Sequence, residues 1–330
     1  MADLNSINTQ MPDARAVIKA KLYSGILREQ LEPELMAMNY VDVINGFTDG
    51  DSWEDVEMGS AVVTDYHEGE EIDFKGIEFG TRTFEINEYV NSGHYVTAKF
   101  AQDSYLASQI MAKVPGLEAR AISADLEEKI LKLALKLDQG ANKINGMQHK
   151  FVAGDATNGF GKLTPEDFAY ATVALKKVNY IGPKIAIIPS YQEYAIVTND
   201  RIKASLSYNP KFEGIVREGA MSGMRFSFSI YGWDVYTSEF LPHLTETGLK
   251  DRDEAGTHNV TDAGVALLFA NIAERRPFRM AWRQMPKFEG RWNMVKQREE
   301  YVTVARYGLD LGDKENLIVI ACSDTDSTIA

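Results

Sequence analysis

Apolar positions recur along the chain at two spacings. Leu117, Ala121, Ile122, Leu126, Ile130, Leu133 and Leu137 follow steps of three and four, which predicts an amphipathic helix over about 117–139, with Gly140 as its stop. At 1.5 Å per residue such a helix is about 35 Å long. Val17, Leu22, Ile26, Leu27, Leu31 and Leu35 predict a second helix within 14–36, broken or ended by Pro33. A short helix is expected over Gln102–Met111, halted by Pro115-Gly116. Period two appears elsewhere. Residues Ala61–Tyr66 and Thr81–Ile86 predict two strands around a Gly-punctuated tip, Glu68–Gly76, after a turn signal at Phe47–Asp51. Tyr95–Phe100 predicts a short strand, and Phe226, Phe228 and Ile230 another.

The second half holds continuous apolar runs. Lys184–Ile188, Val265–Ala270 and Leu317–Ala321 predict strands buried on both faces. Thr164-Pro165-Glu166-Asp167 opens a helix with an N-cap residue, proline in the first turn and acids beside the helix N-terminus. Its core face is Phe168, Ala171, Leu175 and Val178, and Ser190-Tyr191-Gln192-Glu193 has the capping-box spacing of a further helix. This strand–helix alternation marks a compact α/β-like unit over about 160–272. From Arg275 to Tyr307 long strands follow, and Tyr301, Thr303, Ala305, Tyr307, Leu309 and Leu311 keep period two.

Charge is unevenly placed. From Glu32 to Lys75 thirteen carboxylates face one lysine, a net −12 within a formal total of −13. A two-stranded hairpin is marginal alone in water, so this acidic hairpin needs a surface to lie on. Between Glu274 and Arg306 nine Lys or Arg face four Glu, a net +5. Opposite patches of this kind attract across a subunit boundary. The candidate contacts are Glu68, Glu70, Glu71, Asp73 and Lys75 on the hairpin and Arg279, Arg283, Arg291, Lys296 and Arg298 on the strands.

Composition excludes more than it assigns. The 330 residues suggest about two domains. The lone Cys322 forms no intrachain disulfide, and at the end of an apolar strand it reads as a small buried residue. No apolar run approaches a membrane span, and Met1–Pro12 has no signal-peptide character. A pI near 5.0 disfavours general nucleic-acid binding. The aromatics Phe278, Trp282, Phe288, Trp292 and Tyr301 among the basic residues are better explained by strands with rings on one side and charges on the other. The glycine loop Gly154–Gly161 lacks a phosphate-loop hydroxyl, since Leu163 follows Lys162, and it reads as an interdomain loop. Five scattered histidines have no metal-ligand spacing, and no nucleophile elbow is present. No cofactor, metal or catalytic residue is assigned.

Several segments carry a family likeness. Gly50-Asp51 with Gly59-Ser60-Ala61 and Tyr66-His67-Glu68-Gly69, then Phe84-Glu85-Ile86-Asn87-Glu88-Tyr89 and Phe100-Ala101-Gln102-Asp103, resemble an extended loop and its return strand. Leu163–Pro189, Gly232-Trp233-Asp234-Val235-Tyr236-Thr237-Ser238 with Leu241-Pro242, and Arg306-Tyr307-Gly308 follow in family order. The chain resembles, from about residue 14 to 321, the major capsid proteins of tailed double-stranded-DNA bacteriophages, the Hong Kong 97-type capsid fold. In layout it is nearest the coat proteins of short-tailed phages.

The resemblance implies an α+β fold with an N-arm (1–55), an extended loop (56–92), a peripheral domain with a spine helix (93–159 and 273–311), an axial domain (160–272 and 312–323) and a tail (324–330). It implies a virion shell subunit, made and assembled in the host cytoplasm, that forms hexamers and pentamers with itself. The implied partners are a separate scaffolding protein, a portal, packaged DNA by non-specific proximity and, in some relatives, a decoration protein. No membrane is involved. Some relatives join a loop lysine to an asparagine of a neighbour; Lys75 and Asn293 are of those types, but no motif carries the assignment over. An encapsulin-like compartment shell and a soluble acidic enzyme are the alternatives.

Overall fold

The computed structural model describes residues 36–44, 50, 52–58, 63, 65, 76, 79–103, 107–137, 143–156, 159–197, 226–254, 256–273, 275–324 and 328–329. The helix expected over 14–36 and the acidic tip, with Glu68, Glu70, Glu71, Asp73 and Lys75, lie outside them.

The strands in chain order are β1 (Val41–Ile44), β2 (Ser52–Met58), β3 (Phe79–Glu85), β4 (Glu88–Thr97), β5 (Lys150–Val152), β6 (Lys184–Ile188), β7 (Phe226–Ile230), β8 (Trp233–Thr237), β9 (His243–Lys250), β10 (Thr257–Ala270), β11 (Phe278–Asn293), β12 (Arg298–Leu311), β13 (Ile318–Cys322) and β14 (Thr328–Ile329). The α-helices are α1 (Ala98–Asp103), α2 (Ala107–Lys132), α3 (Pro165–Lys177) and α4 (Ser190–Val197). Three sheets result. One has the order β1-β11-β12-β4; a second runs β5-β13-β10-β6-β8-β7, with β9 and β14 also on β10; β2 and β3 pair only with each other.

The continuous apolar runs are strands buried on both faces, and period two sorts each residue. In β10, Val265, Leu267 and Phe269 belong to one core while Ala266, Leu268 and Ala270 belong to the other. Val319 and Ala321 of β13 divide from Ile318, Ile320 and Cys322 in the same way. The second core is covered by Phe168, Ala171 and Leu175 of α3. The first core continues into the four-stranded sheet and α2 through Met280, Tyr307, Leu309, Ile122, Leu126 and Ile130. Phe269 and Phe278 meet edge-on at 6.2 Å, where the two sheets adjoin.

Local signals account for most boundaries. Thr164 donates its N–H and its hydroxyl to Asp167 Oδ2, both at 2.9 Å, which fixes the start of α3. Tyr231 and Gly232, at φ 48° and 76°, make the two-residue turn between β7 and β8, where both residues must adopt a left-handed backbone. Trp233 then enters the second core fully buried, its indole N–H donating to Thr172 Oγ1 at 2.9 Å.

Five expectations are corrected. The partner of Phe79–Glu85 is Ser52–Met58, in register from Ser52↔Glu85 to Met58↔Phe79, and the described Val63 and Asp65 are not in a strand. The stretch is acidic, and its described side chains Ser52, Trp53, Glu54 and Val56 are all exposed, so no buried alternation marks it. The strand expected over 95–100 ends at Thr97, and residues 98–100 begin α1. The long helix starts at Ala107 and runs through Pro115 rather than after it, then tightens into a 3₁₀ turn, Leu133–Lys136, before Leu137 turns extended. Proline removes one donor to the preceding turn, a local loss that the rest of a long helix outweighs when one face is buried. Ser190 is itself the first residue of α4, and its hydroxyl goes to Glu239 rather than to a cap. The glycine loop is not between domains, since Lys150–Val152 pairs in parallel with β13 and so joins the eight-stranded sheet.

Candidate intersubunit surfaces

Two elements leave the body of the molecule with large apolar side chains exposed among the described residues. The first is the arm β2–β3. In it Trp53, Val56 and Phe79 are 40%, 64% and 66% exposed. A free-standing pair of strands with exposed rings and acids has little to hold it in water. Its root is different. Phe84 and Ile86 are buried with Ala281 and partly buried Ile44 in a small core of their own. Phe84 reaches this seat because residue 308 has no side chain: a Cβ there would lie 2.9 Å from Phe84 Cε1 and 2.5 Å from the Glu85 carbonyl oxygen. The Phe84-Glu85-Ile86 and Arg306-Tyr307-Gly308 motifs, far apart in sequence, therefore meet.

The second element is the outer half of the β11–β12 hairpin. Register shifts fall between Trp282 and Gln284 and between Gln284 and Lys287, the second containing Pro286, and proline without a ladder N–H fits such a bulge. Beyond it β12 still pairs with β4, from Tyr307↔Glu88 to Arg298↔Thr97. β11 pairs with β1 only over Phe278–Ala281. Met285, Trp292, Met294 and Val295 are 69%, 46%, 75% and 93% exposed there. Asn293 Oδ1 accepts the N–H groups of Val295 and Lys296, each at 3.1 Å, and so shapes the tip. The Tyr301 ring lies against Gly290 and stacks on Phe288 at 5.6 Å.

The five predicted cations do not form one patch. Arg279 lies over the sheet body with Nε 3.8 Å from Asp42, and Arg283, further along β11, is half-buried. Arg291, Lys296 and Arg298 lie on the outer hairpin. Arg298 Nη2 is 2.8 Å and Arg291 Nε 3.4 Å from Glu300, to which Asn293 Nδ2 also donates at 3.0 Å. Hydrogen bonds from Arg298 first, then Asn293, with Arg291 adding to them, hold the Glu300 carboxyl below its usual range. Arg298 also covers the Tyr95 ring at 4.2 Å. Between residues 284 and 302 four cations face three glutamates. The larger part of the basic surplus thus sits over the sheet body, and the outer hairpin is chiefly apolar. Nor do the aromatics share one environment, for Phe278 is buried and Trp292 is not. Sequence reasoning missed Met285, Met294 and Val295. The available signal was length: β11, at 16 residues, runs well past the stretch Phe278–Ala281 that it pairs with β1.

Behind these surfaces α2 is pinned to the sheet by polar groups. Glu118 is fully buried and accepts from Thr303 Oγ1 at 2.7 Å, with His94 Nδ1 at 2.9 Å. Lys129 bonds Glu88 of β4 at 2.8 Å and Asp125 at 2.9 Å. Burial works against the Lys129 charge, but Glu88 and Asp125 overcome it and hold its pKa above the usual lysine range. Burial, aided by Asp125 and Glu88 against Lys129, pushes the Tyr307 phenol up to about 12. These contacts make a rigid base for both projections.

In the other body, Cys322 is fully buried, its thiol 3.2 Å from the Gly264 carbonyl oxygen and pushed up by that burial. Among the described residues no group of His, Cys, Asp and Glu is placed to hold a metal ion, and no helix is long and apolar enough to cross a membrane.

No family model and no curated protein matches the sequence. Solved structures do match in fold. A chain of Mycobacterium phage Che8 aligns with a TM-score of 0.63 at 13% identity, covering 91% of this chain and 96% of that one. The capsid structure of the cyanophage P-SCSP1u aligns with a TM-score of 0.63 at 13% identity, covering 94% of each chain. The asymmetric unit of the bacteriophage PhiM1 mature capsid aligns with a TM-score of 0.60 at 8% identity, covering 92% of each. At such identities the likeness is one of fold.

Proposed function

We propose that this chain, which has the fold of tailed-phage major capsid proteins, is a shell subunit that self-assembles through hexamers and pentamers into an icosahedral capsid around double-stranded DNA. The observation that carries this is the pair of projections on which Val56, Phe79, Met285, Trp292, Met294 and Val295 stand exposed among the described residues. In a closed symmetric assembly each exposed patch is reused at every equivalent position. Many modest contacts per subunit then add up to a stable particle.

In this role β2–β3 belongs to the extended loop assigned to 56–92, and α2 is the spine helix. The sheet β1-β11-β12-β4 is the peripheral domain, and the eight-stranded sheet with α3 and α4 is the axial domain. Of the N-arm assigned to 1–55, the stretch before β1 keeps that role, since β1 is in the peripheral sheet and β2, which starts at Ser52, is in the loop. The arm of one copy lies on the peripheral strands of the next, with Trp53, Val56 and Phe79 against apolar side chains of the β11–β12 hairpin. The acids of the loop, Glu68, Glu70, Glu71 and Asp73, steer it toward the cations of that region, Arg283, Arg291 and Lys296 among them. The chain acts by position and performs no chemistry. A separate scaffolding protein, a portal and a decoration protein are the partners such a shell would take.

Electron microscopy of the purified protein tests this directly. Shells, tubes or capsomers are expected, and discrete monomers under every condition would overturn the proposal. Glu70→Lys with Glu71→Lys should slow assembly without changing the melting temperature, and more salt should slow the natural chain, since exposed charges are screened over about 8 Å at physiological ionic strength. Unchanged assembly kinetics in that variant would remove the electrostatic part. Trp292→Ser with Val295→Ser should abolish particles while leaving the fold intact.

A further inference from the structure

Two of the arm's contacts with the body differ in kind. The inner one is the Phe84 seat. Phe84 is 5% exposed and packs with Ile86 and Ala281. The gap at Gly308 leaves no room for any side chain, so the ring and the β12 backbone are in direct contact. The outer attachment is Arg82, two residues further out on the same strand. Arg82 Nη1 donates to the Gly312 carbonyl oxygen at 2.7 Å, and Nη2 stands 3.6 Å from Asp310 Oδ2. Side chains of Arg82 and Asp310 are 23% and 33% exposed, so water and salt reach this pair.

The docking strip is written into β12 at period two. In β12, Gly308 and Asp310 share the face opposite Leu309 and Leu311, which are in the main core, and Gly312 follows just past the end of the strand. Gly308 admits the ring, Asp310 supplies the charge and Gly312 supplies the carbonyl. Gly312 is itself closed in, since a Cβ there would stand 2.4 Å from the Arg276 carbonyl oxygen. Its backbone is therefore a fixed point for the arginine to grip.

We propose that Phe84 on Gly308 is a permanent pivot and that Arg82, on Asp310 and Gly312, is a releasable clamp that sets the angle of the β2–β3 arm. The apolar seat is buried and does not respond to salt. The guanidinium contact is part-solvated and ionic, and pairs of that kind are individually weak. Opening it frees the arm to swing about Phe84 while the root stays docked. This rests on the shell assignment for its purpose: an arm that meets neighbours in both five-fold and six-fold rings needs more than one angle. It does not rest on that assignment for its existence, which is a property of the single chain.

Nitroxide labels at Thr81→Cys and Lys314→Cys, both exposed, report the angle as a distance distribution in unassembled subunits. Buried Cys322 stays unlabelled. The natural clamp should give one narrow population, and Arg82→Ala should broaden it at an unchanged melting temperature. Raising salt from about 0.05 M to about 1 M should broaden the unsubstituted distribution, as ionic screening requires, and this arm of the test needs no substitution at Arg82. A distribution that stays narrow in Arg82→Ala, or in high salt if that variant does not fold, overturns the clamp. Microscopy of the same preparation for particles judges the shell assignment separately, so the two can fail independently.

Discussion

Glu127 of α2 accepts the backbone N–H of Ala37 with both carboxylate oxygens, at 2.9 and 2.8 Å, and Oε1 also takes the N–H of Met36 at 2.9 Å. The carboxylate is fully buried. It caps the start of the 3₁₀ turn Ala37–Tyr40 and so places β1 for its parallel pairing with β11. Hydrogen bonds to a charged group contribute about 1.5–3 kcal/mol. Glu127→Ala should therefore destabilise the fold by about 3 kcal/mol, with faster hydrogen exchange over residues 36–44 than elsewhere. Glu127→Gln keeps one acceptor and should fall between the two. Equal exchange in all three proteins would show that the cap does not hold β1.

Gly308 tests the arm's seat from the other side. A methyl group there meets the Glu85 carbonyl at 2.5 Å and the Phe84 ring at 2.9 Å. The first contact is backbone and cannot rotate away. Gly308→Ala should cost about 1–3 kcal/mol, the usual range for overpacking. Adding Phe84→Leu should recover part of that by relieving the ring contact but not the carbonyl contact. Thermal unfolding of the two single variants and the double measures the coupling.

Much of this architecture can be read from the residues. Val265–Ala270 and Leu317–Ala321 are strands because a run of apolar residues can satisfy two cores at once, and both do. The odd-numbered residues Thr303–Leu311 face the interior as their spacing requires. Legibility fails where burial comes from elsewhere. Ser52–Met58 is acidic, with Ser52, Trp53, Glu54 and Val56 all exposed, and nothing in its own residues separates a strand from a loop. Pro115 reads as a stop only while the helix around it is judged locally. The basic stretch reads as one patch because charge counts ignore pairing, whereas Glu300 draws Arg291 and Arg298 to itself and Asp42 draws Arg279. Clusters of charge are visible in a sequence, but their neutralisation needs the fold.

Asp167 joins three segments of the eight-stranded body. Its Oδ2 accepts the N–H groups of Gly154 at 3.1 Å and Thr164 at 2.9 Å, and its Oδ1 accepts from Arg252 Nη1 at 3.0 Å. Burial pushes its carboxyl up, and the Thr164 and Gly154 donors, with Arg252, pull it back. Arg252 also has Asp155 and Asp253, each at 3.5 Å, so losing Asp167 leaves it partly paired, and the cost falls toward the lower end of the about 3–5 kcal/mol of a broken buried pair. Asp167→Asn should show a loss of that size. Asp167→Asn with Arg252→Gln should lose less than the sum of the two single changes, because the contact between the two residues is then lost only once. Additive losses in urea unfolding would mean the pair is not coupled.

His149 supplies a pH dependence whose sign can be fixed. Its Nδ1 stands 3.1 Å from the Leu317 carbonyl oxygen, so this nitrogen carries the proton and donates it. Nε2 is buried with no hydrogen-bond partner among the described residues. Burial, opposed by the Leu317 bond, lowers the imidazole pKa below its ordinary value. The folded chain therefore keeps His149 neutral while the unfolded chain takes up a proton at about pH 6.5. Below that pH the unfolded state binds more protons, so stability falls on acidification until the folded pKa is reached. The limiting slope for one group is about 1.4 kcal/mol per pH unit. Asn at this position can still donate to Leu317 but cannot titrate. Chemical denaturation between about pH 7 and pH 5 should show a shallower decline for His149→Asn than for the natural chain, and parallel curves would assign the acid sensitivity to other groups.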